Sequence, residues 1–298
     1  MAGLVDFLRR KLVPDDGPPA VVADVEVASF SVLKTAKVPV DALLGLEVSG
    51  VERHGKFIAL QVGGFYLVMH LARAGWLRWT EEFKPGRLRQ GKGLIALRTR
   101  FATAEAADPD HAAEGAAAEH GFDLTEAGTR KSLAVYVVED LAEVPGVARL
   151  GPDALELDQD AFSGILAGHR GQIKGLLRDQ SVVAGIGNAY SDEVLHAARL
   201  SPFTLASSLG AGEVAGLHRS MHDVLLAAVE AASGRPANEL KDSKRRAMRV
   251  HGRTGQECPV CGDTVREVSF ADSSLQYCPT CQTGGKLLAD RRTSKFLK

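Results

Sequence analysis

Apolar residues recur at Leu4, Phe7, Leu8 and Leu12, one face of a helix that Pro14 stops. After the Pro/Gly/Asp stretch 14–19 the period changes. Val21, Ala23, Val25 and Val27 now alternate with other residues, which predicts a strand. Three apolar segments follow at 44–51, 56–62 and 65–71. Only Gly63-Gly64 separates the last two, a two-residue hairpin signal. Residues 94–101 and 133–138 predict further strands. The first half therefore reads as a β-sandwich with a flanking helix. Residues 102–120 are rich in Ala, Glu, Asp and His without periodicity, and predict a loop.

From about residue 156 the texture turns helical. Residues 162–167, 173–178, 189–199 and 213–233 predict helices, the third stopped by Pro202 and the last closed by Gly234. The expected class is α+β, with a β-sandwich over 1–150, a helical domain over 151–250 and a small module over 251–298.

A composition of 45% hydrophobic and 24% charged residues is that of a globular chain. No apolar run reaches the length of a membrane span, and the N-terminus mixes charge into its apolar residues. The expectation is an intracellular, cytoplasmic protein with no membrane partner. The net charge of −1 hides an asymmetry. From Lys241 to Lys298 there are 12 Lys and Arg against 6 Asp and Glu, which leaves 24 against 31 for the rest. A basic end on an acidic body suits a polyanion, and equally a solvated tail.

The C-terminal module carries Cys258-Pro-Val-Cys261, sixteen further residues, then Cys278-Pro-Thr-Cys281. Each C-x-x-C offers two thiolates from one tight turn, and two such turns complete a tetrahedral zinc site. The segments 265–270 and 274–277 can form the hairpin between them. With four protein ligands, the expected cofactor is one structural Zn2+. A disulfide pair fits poorly without a secretory signal, and twin redox motifs fit poorly at this spacing.

In the run from Ile173 to Glu193, Gly185 and Gly187 allow tight backbone geometry just before a helix that starts near Asn188. Helix N-termini attract phosphates, Asn188 offers a side-chain donor, and Lys174 adds a charge. Physics alone favours a simple turn here.

These residues also carry a resemblance. Lys174 to Pro202, with the block Asp179-Gln-Ser-Val-Val-Ala-Gly-Ile-Gly-Asn188, is similar to the helix–two-turn–helix of the formamidopyrimidine-DNA glycosylase/endonuclease VIII family, which also ends in a four-Cys zinc finger. Arg149-Leu-Gly-Pro-Asp153 resembles its interdomain junction. Arg53-His-Gly-Lys-Phe57 with His70-Leu71 and Gly75 resembles its N-terminal sheet. The resemblance implies a base-excision repair protein acting as a monomer on double-stranded DNA that holds a damaged base or an abasic site. In a bacterium it would be associated with the nucleoid. It implies flipping of the damaged nucleotide, glycosidic cleavage and nicking of the abasic site. Asn188 and Lys56 would contact flanking phosphates, and the zinc hairpin would clamp the backbone.

The departures bear on chemistry. The family nucleophile is an N-terminal proline amine followed by glutamate, whereas this sequence begins Met1-Ala2-Gly3-Leu4. An amine on Ala2 is a weak candidate in its place, and Asp6 is no obvious substitute for the glutamate. Two readings stay open: the natural chain starts further upstream, or the protein binds distorted DNA, or structured RNA, without cutting it. Arg73 stands where the family often has a wedging Met. Arg130 and Lys131 lie near the family's Arg/Phe wedge loop without its Arg-Phe-Gly. Ser273 replaces an arginine of the zinc hairpin, with Ser274 or Arg266 as substitutes. Lys286, Arg291, Arg292 and Lys295 extend the basic end and would add salt-sensitive affinity.

Overall fold

The computed structural model describes the chain except for residues 85, 87, 89–93, 104–119, 128–130, 271–272 and 291–298. The first half runs α1 (Ala2–Leu12), β1 (Ala20–Val27), β2 (Val48–His54), β3 (Phe57–Val62), β4 (Phe65–His70), β5 (Gly75–Thr80), β6 (Ile95–Thr103), β7 (His120–Glu126), β8 (Ala134–Val138) and α2 (Pro145–Ala148). The second half runs α3 (Gln159–Gly168), α4 (Ile173–Arg178), α5 (Asn188–Ala197), α6 (Ala211–Ala232), α7 (Ala237–Ala247), β9 (Arg266–Ser269), β10 (Ser274–Tyr277) and α8 (Pro279–Thr283). These elements form two compact units, Met1–Ala148 with Ala232–Lys241, and Arg149–Ala231 with Asp242–Lys298. The zinc module thus groups with the helical segment as one unit. The start of α7 belongs with the β-rich unit, where Ala237 and Leu240 join the core.

In the first unit two antiparallel four-stranded sheets, ordered β1-β6-β7-β5 and β2-β3-β4-β8, contribute to one apolar core with α1. The apolar stripe of α1 predicts its contacts, since Leu4, Phe7, Leu8 and Leu12 are all buried. Gly63 and Gly64 both have positive φ, +52° and +91°, as the two-residue hairpin between β3 and β4 requires. Register then runs from Val62↔Phe65 to Phe57↔His70, which brings His70 beside the strand that follows Lys56.

Strands β5 and β7 escape the hydrophobic pattern. In β7, Phe122 and Leu124 enter the core, while Asp123 on the other face chelates Arg98 of β6 at 2.7 and 2.9 Å. The Phe83 ring covers that guanidinium at 4.4 Å. A buried ion pair with both oxygens engaged reads as polar loop in the sequence. Of the expected loop over 102–120, residues 102–103 and His120 are strand, and residues 104–119 lie outside the described residues.

The second unit has its own core, in which Phe162, Ile173, Leu176, Leu177, Val194, Leu195 and Leu217 are buried together. β9 and β10 pair antiparallel from Ser269↔Ser274 to Arg266↔Tyr277. Among the described residues no helix is long and apolar enough to cross a membrane.

Candidate functional site

The four cysteines converge as their spacing predicts, with all four sulfurs within 4.8 Å of one another. Cys258 Sγ lies 3.9 Å from Cys281 Sγ, and Cys261 Sγ lies 3.3 Å from Cys278 Sγ. A tetrahedron with Zn–S bonds of about 2.3 Å has edges of about 3.8 Å, so the set fits one structural zinc. The two knuckles are braced against each other. Asp263, just past the first, accepts from the Thr280 amide at 3.1 Å and its hydroxyl at 2.8 Å inside the second. Burial pushes the thiol of Cys281 up to about 11 and raises that of Cys278 further. A metal must therefore displace protons to bind here.

Helix α5 is the member that joins this module to the glycine-rich turn. Gln180 braces the turn, donating to the Arg178 and Ile186 carbonyls and accepting from the Gly185 amide. Gly185 needs its φ of +97° for that path. The first helical bond accepted at Gly187 comes from Ser191, which leaves the amides of Asn188, Ala189 and Tyr190 without helical partners. Asn188 Nδ2 donates to the Ser274 carbonyl of β10 at 2.8 Å, tying the start of α5 to the zinc hairpin. Its Oδ1 is buried and has no hydrogen-bond partner among the described residues.

The same helix turns two acids inward. Glu193 accepts from the amides of Arg249 (2.8 Å), Val250 (3.0 Å) and His251 (2.8 Å), the segment that leads into the zinc module. Asp192 accepts from His251 Nδ1 at 2.7 Å and pairs with Lys174 Nζ at 2.5 Å. Lys174 is only 4% exposed and also reaches the Ser191 hydroxyl and the Asn188 carbonyl. Its charge is thus directed at Asp192 beneath the turn, where burial lowers its pKa against the opposing pull of Asp192. Sequence reasoning passed over Asp192, Glu193 and His251. The available signal was a pair of acids on the helical face that Val194 and Leu195 bury.

In the first unit, Lys56 sits half-buried in the β2–β3 turn, next to Phe57, whose ring lies 4.6 Å from that of His70. Burial, and then the charge of Lys56, push the His70 pKa down. The chain then turns sharply. Ala72 takes φ +53° and presents Arg73 as an exposed side chain. Across from this turn the Ala127 amide donates to the Ala74 carbonyl. Glu126, 1% exposed, accepts from the amides of Ser132 (2.6 Å) and Leu133 (2.9 Å) through one carboxylate oxygen. Glu126 thereby ties Ser132 and Leu133 to the end of β7. Lys131 folds back to the Glu126 carbonyl. Arg130 lies outside the described residues, as do Arg291, Arg292 and Lys295 of the basic end.

Ala2 opens α1, and the Met1 carbonyl accepts from the amides of Leu4 and Val5. At the zinc hairpin the Ser273 carbonyl accepts from Phe270 at 2.7 Å, closing the tip. Ser274 spends its carbonyl on Asn188 and its hydroxyl on Gln276, while Arg266 stays exposed at the start of β9.

Three stretches match known families. Residues 5–131 match the formamidopyrimidine-DNA glycosylase N-terminal domain, 150–239 the formamidopyrimidine-DNA glycosylase H2TH domain, and 255–284 the zinc finger found in FPG and IleRS. An uncharacterized formamidopyrimidine-DNA glycosylase-like protein of Mycobacterium tuberculosis is 58% identical over 158 residues, covering 53% of this chain and all of that protein. The formamidopyrimidine-DNA glycosylase of Moorella thermoacetica is 33% identical over 261 residues, 84% of each chain. The fold is that of the Lactococcus lactis Fpg structure solved with DNA containing an abasic site, with a TM-score of 0.75, 23% identity, and coverage of 94% of this chain and 98% of that one. A structure of MutM in complex with DNA containing carbocyclic 8-oxo-G also scores 0.75, at 22% identity over 95% of this chain and 99% of that one. With relatives at this identity over most of their length, the chain belongs to the formamidopyrimidine-DNA glycosylase family.

Proposed function

We propose that this chain is a base-excision repair protein that binds double-stranded DNA carrying a damaged base or an abasic site, as a monomer, in the cytoplasm or on the nucleoid. The observation that carries the reading is the fastening of Asn188, at the amide-exposing start of α5, to the zinc hairpin through Ser274. One rigid assembly then offers unpaired backbone N–H groups and a positive helix end to a phosphate. Lys56 and Arg73 serve the same substrate from the first unit, Lys56 on a phosphate and Arg73 as a planar cation that can stack where a base has left. Arg130 joins them by its place in the sequence. Lys174 acts from beneath, holding Asn188 and α5 in position through Asp192.

The chemistry that accompanies this binding in the family is amine attack at the sugar C1′, departure of the base with the glycosidic electron pair, Schiff base formation and elimination of phosphate. Its nucleophile is an N-terminal amine, for which the Ala2 amine is a weak candidate. The deciding experiment mixes the chain with duplex DNA containing one abasic site and adds borohydride, with affinity measured in parallel on the same duplex and on an undamaged one. The expected result is tighter binding to the abasic duplex, together with a covalent band that disappears when the N-terminal amine is blocked. Binding without a band would leave either recognition alone or a nucleophile further upstream in the natural chain. Equal, weak affinity for both duplexes would overturn the repair reading altogether.

A further inference from the structure

Four exposed cations, Lys244, Arg245, Arg246 and Arg249, lie within six positions at the end of α7 and just beyond it. Among the described residues, no carboxylate forms an ion pair with any of them. The Lys244 ammonium sits 4.9 Å from the centroid of the Tyr190 ring, and Tyr190 is the third residue of α5. That contact sets the end of α7 beside the amide-exposing, positive end of α5.

The usual reason for cations at a helix C-terminus is to neutralise its carbonyls, and here a different residue does that. The Arg253 guanidinium donates to the carbonyls of Arg245, Arg246 and Met248. Just beyond α7 the backbone is also held, because Glu193 accepts from the amides of Arg249, Val250 and His251. Positive side chains are therefore gathered beside a positive helix end, at a cost in mutual repulsion that a bound polyanion relieves.

We propose that Lys244, Arg245, Arg246 and Arg249 form a phosphate-binding strip that extends the Asn188 site along a DNA backbone. The occupant is a nucleic-acid backbone rather than an acidic peptide. Lys244, over Tyr190, joins this cluster of cations to the unpaired amides of α5, which suit phosphate oxygens. This inference rests on the reading that the chain binds duplex DNA.

The test is the salt dependence of binding. A chain with Lys244→Gln, Arg245→Gln and Arg246→Gln is titrated against a duplex carrying a tetrahydrofuran abasic-site analogue, by fluorescence anisotropy, across a series of KCl concentrations. Each phosphate contact contributes about 0.9 to the slope of log K against log salt. The triple variant should therefore lose roughly 2–3 from the slope, and on the order of 100-fold in affinity at about 0.15 M salt. Arg246→Gln alone should lose about a third of that slope change. The substituted side chains are exposed, so zinc content should stay at the wild-type value and confirm an intact fold. A chain with Lys34→Gln and Lys37→Gln, two exposed cations of the other unit, should keep the wild-type slope; an equal loss per charge there would reduce the effect to net charge and overturn the strip. An unchanged slope in the triple variant, with tight binding retained, would overturn the strip and leave the DNA-binding reading standing. Failure of the wild-type chain to bind any duplex would overturn both.

Discussion

Ala72 is held at φ +53°, a region in which a Cβ crowds the following carbonyl and which glycine enters freely. The strain follows from the turn that must leave β4 at His70, enter β5 at Gly75 and still present Arg73. Ala72→Gly should therefore stabilise the first unit by about 1 kcal/mol, read as a higher urea midpoint. A lower midpoint would show that the strain is absorbed elsewhere. Lys174 poses the opposite case. Replacing one partner of a buried pair leaves the other charge uncompensated, so Lys174→Met should cost about 3 kcal/mol. Adding Asp192→Asn should recover part of the loss, because the orphaned carboxylate is removed with its partner. If the double variant is no more stable than the single one, His251 rather than Lys174 is the partner that matters to Asp192.

Among the elements, α5 shows how much of the site could be read in advance. The glycines, Asn188 and the following helix were legible because backbone permissiveness and helix ends have local signatures. The zinc knuckles were legible for the same reason, since ligand type and spacing carry the geometry. Asp192 and Glu193 were not legible, because their partners lie some sixty residues away at Arg249–His251, and a buried acid looks in sequence like a solvated one. The same blindness hid β7, whose Asp123 pairs with Arg98, and α7, whose charged surface masks the two apolar residues it buries. Long-range polar satisfaction, not hydrophobic period, decided these elements. Glu193→Ala tests the point, because it strips three amides of their acceptor at once. The variant should unfold at a clearly lower temperature and give up zinc to a chelator faster than the wild type, since the displaced segment leads directly into Cys258. Unchanged zinc release would mean that the module stands without its anchor on α5.

Two cores with different chemistry beneath them imply two independent responses to solution conditions. The Met1–Ala148 unit holds His70 and His120, both pushed below the ordinary histidine value chiefly by burial. A histidine with a depressed folded pKa takes up its proton more readily in the unfolded chain. It therefore costs the unit nothing above about pH 6.5, and costs it stability as pH falls below that value toward the folded pKa. The Arg149–Ala231 unit with Asp242–Lys298 instead depends on a metal bound by four thiolates, Cys258, Cys261, Cys278 and Cys281. Calorimetry at pH 7.5 should show a zinc chelator lowering the transition of this unit and sparing the other. Moving from pH 7.5 to about 5.5 should lower the transition of the β-rich unit, and His70→Gln with His120→Gln should blunt that acid shift while leaving the chelator response intact. Cys258→Ser with Cys261→Ser should reproduce the chelator effect without chelator, and zinc content should fall from one ion per chain to none. A single transition that moves as a whole under both treatments would mean that the two cores unfold as one cooperative body, and the separate roles assigned to the histidines and the zinc would fall with it.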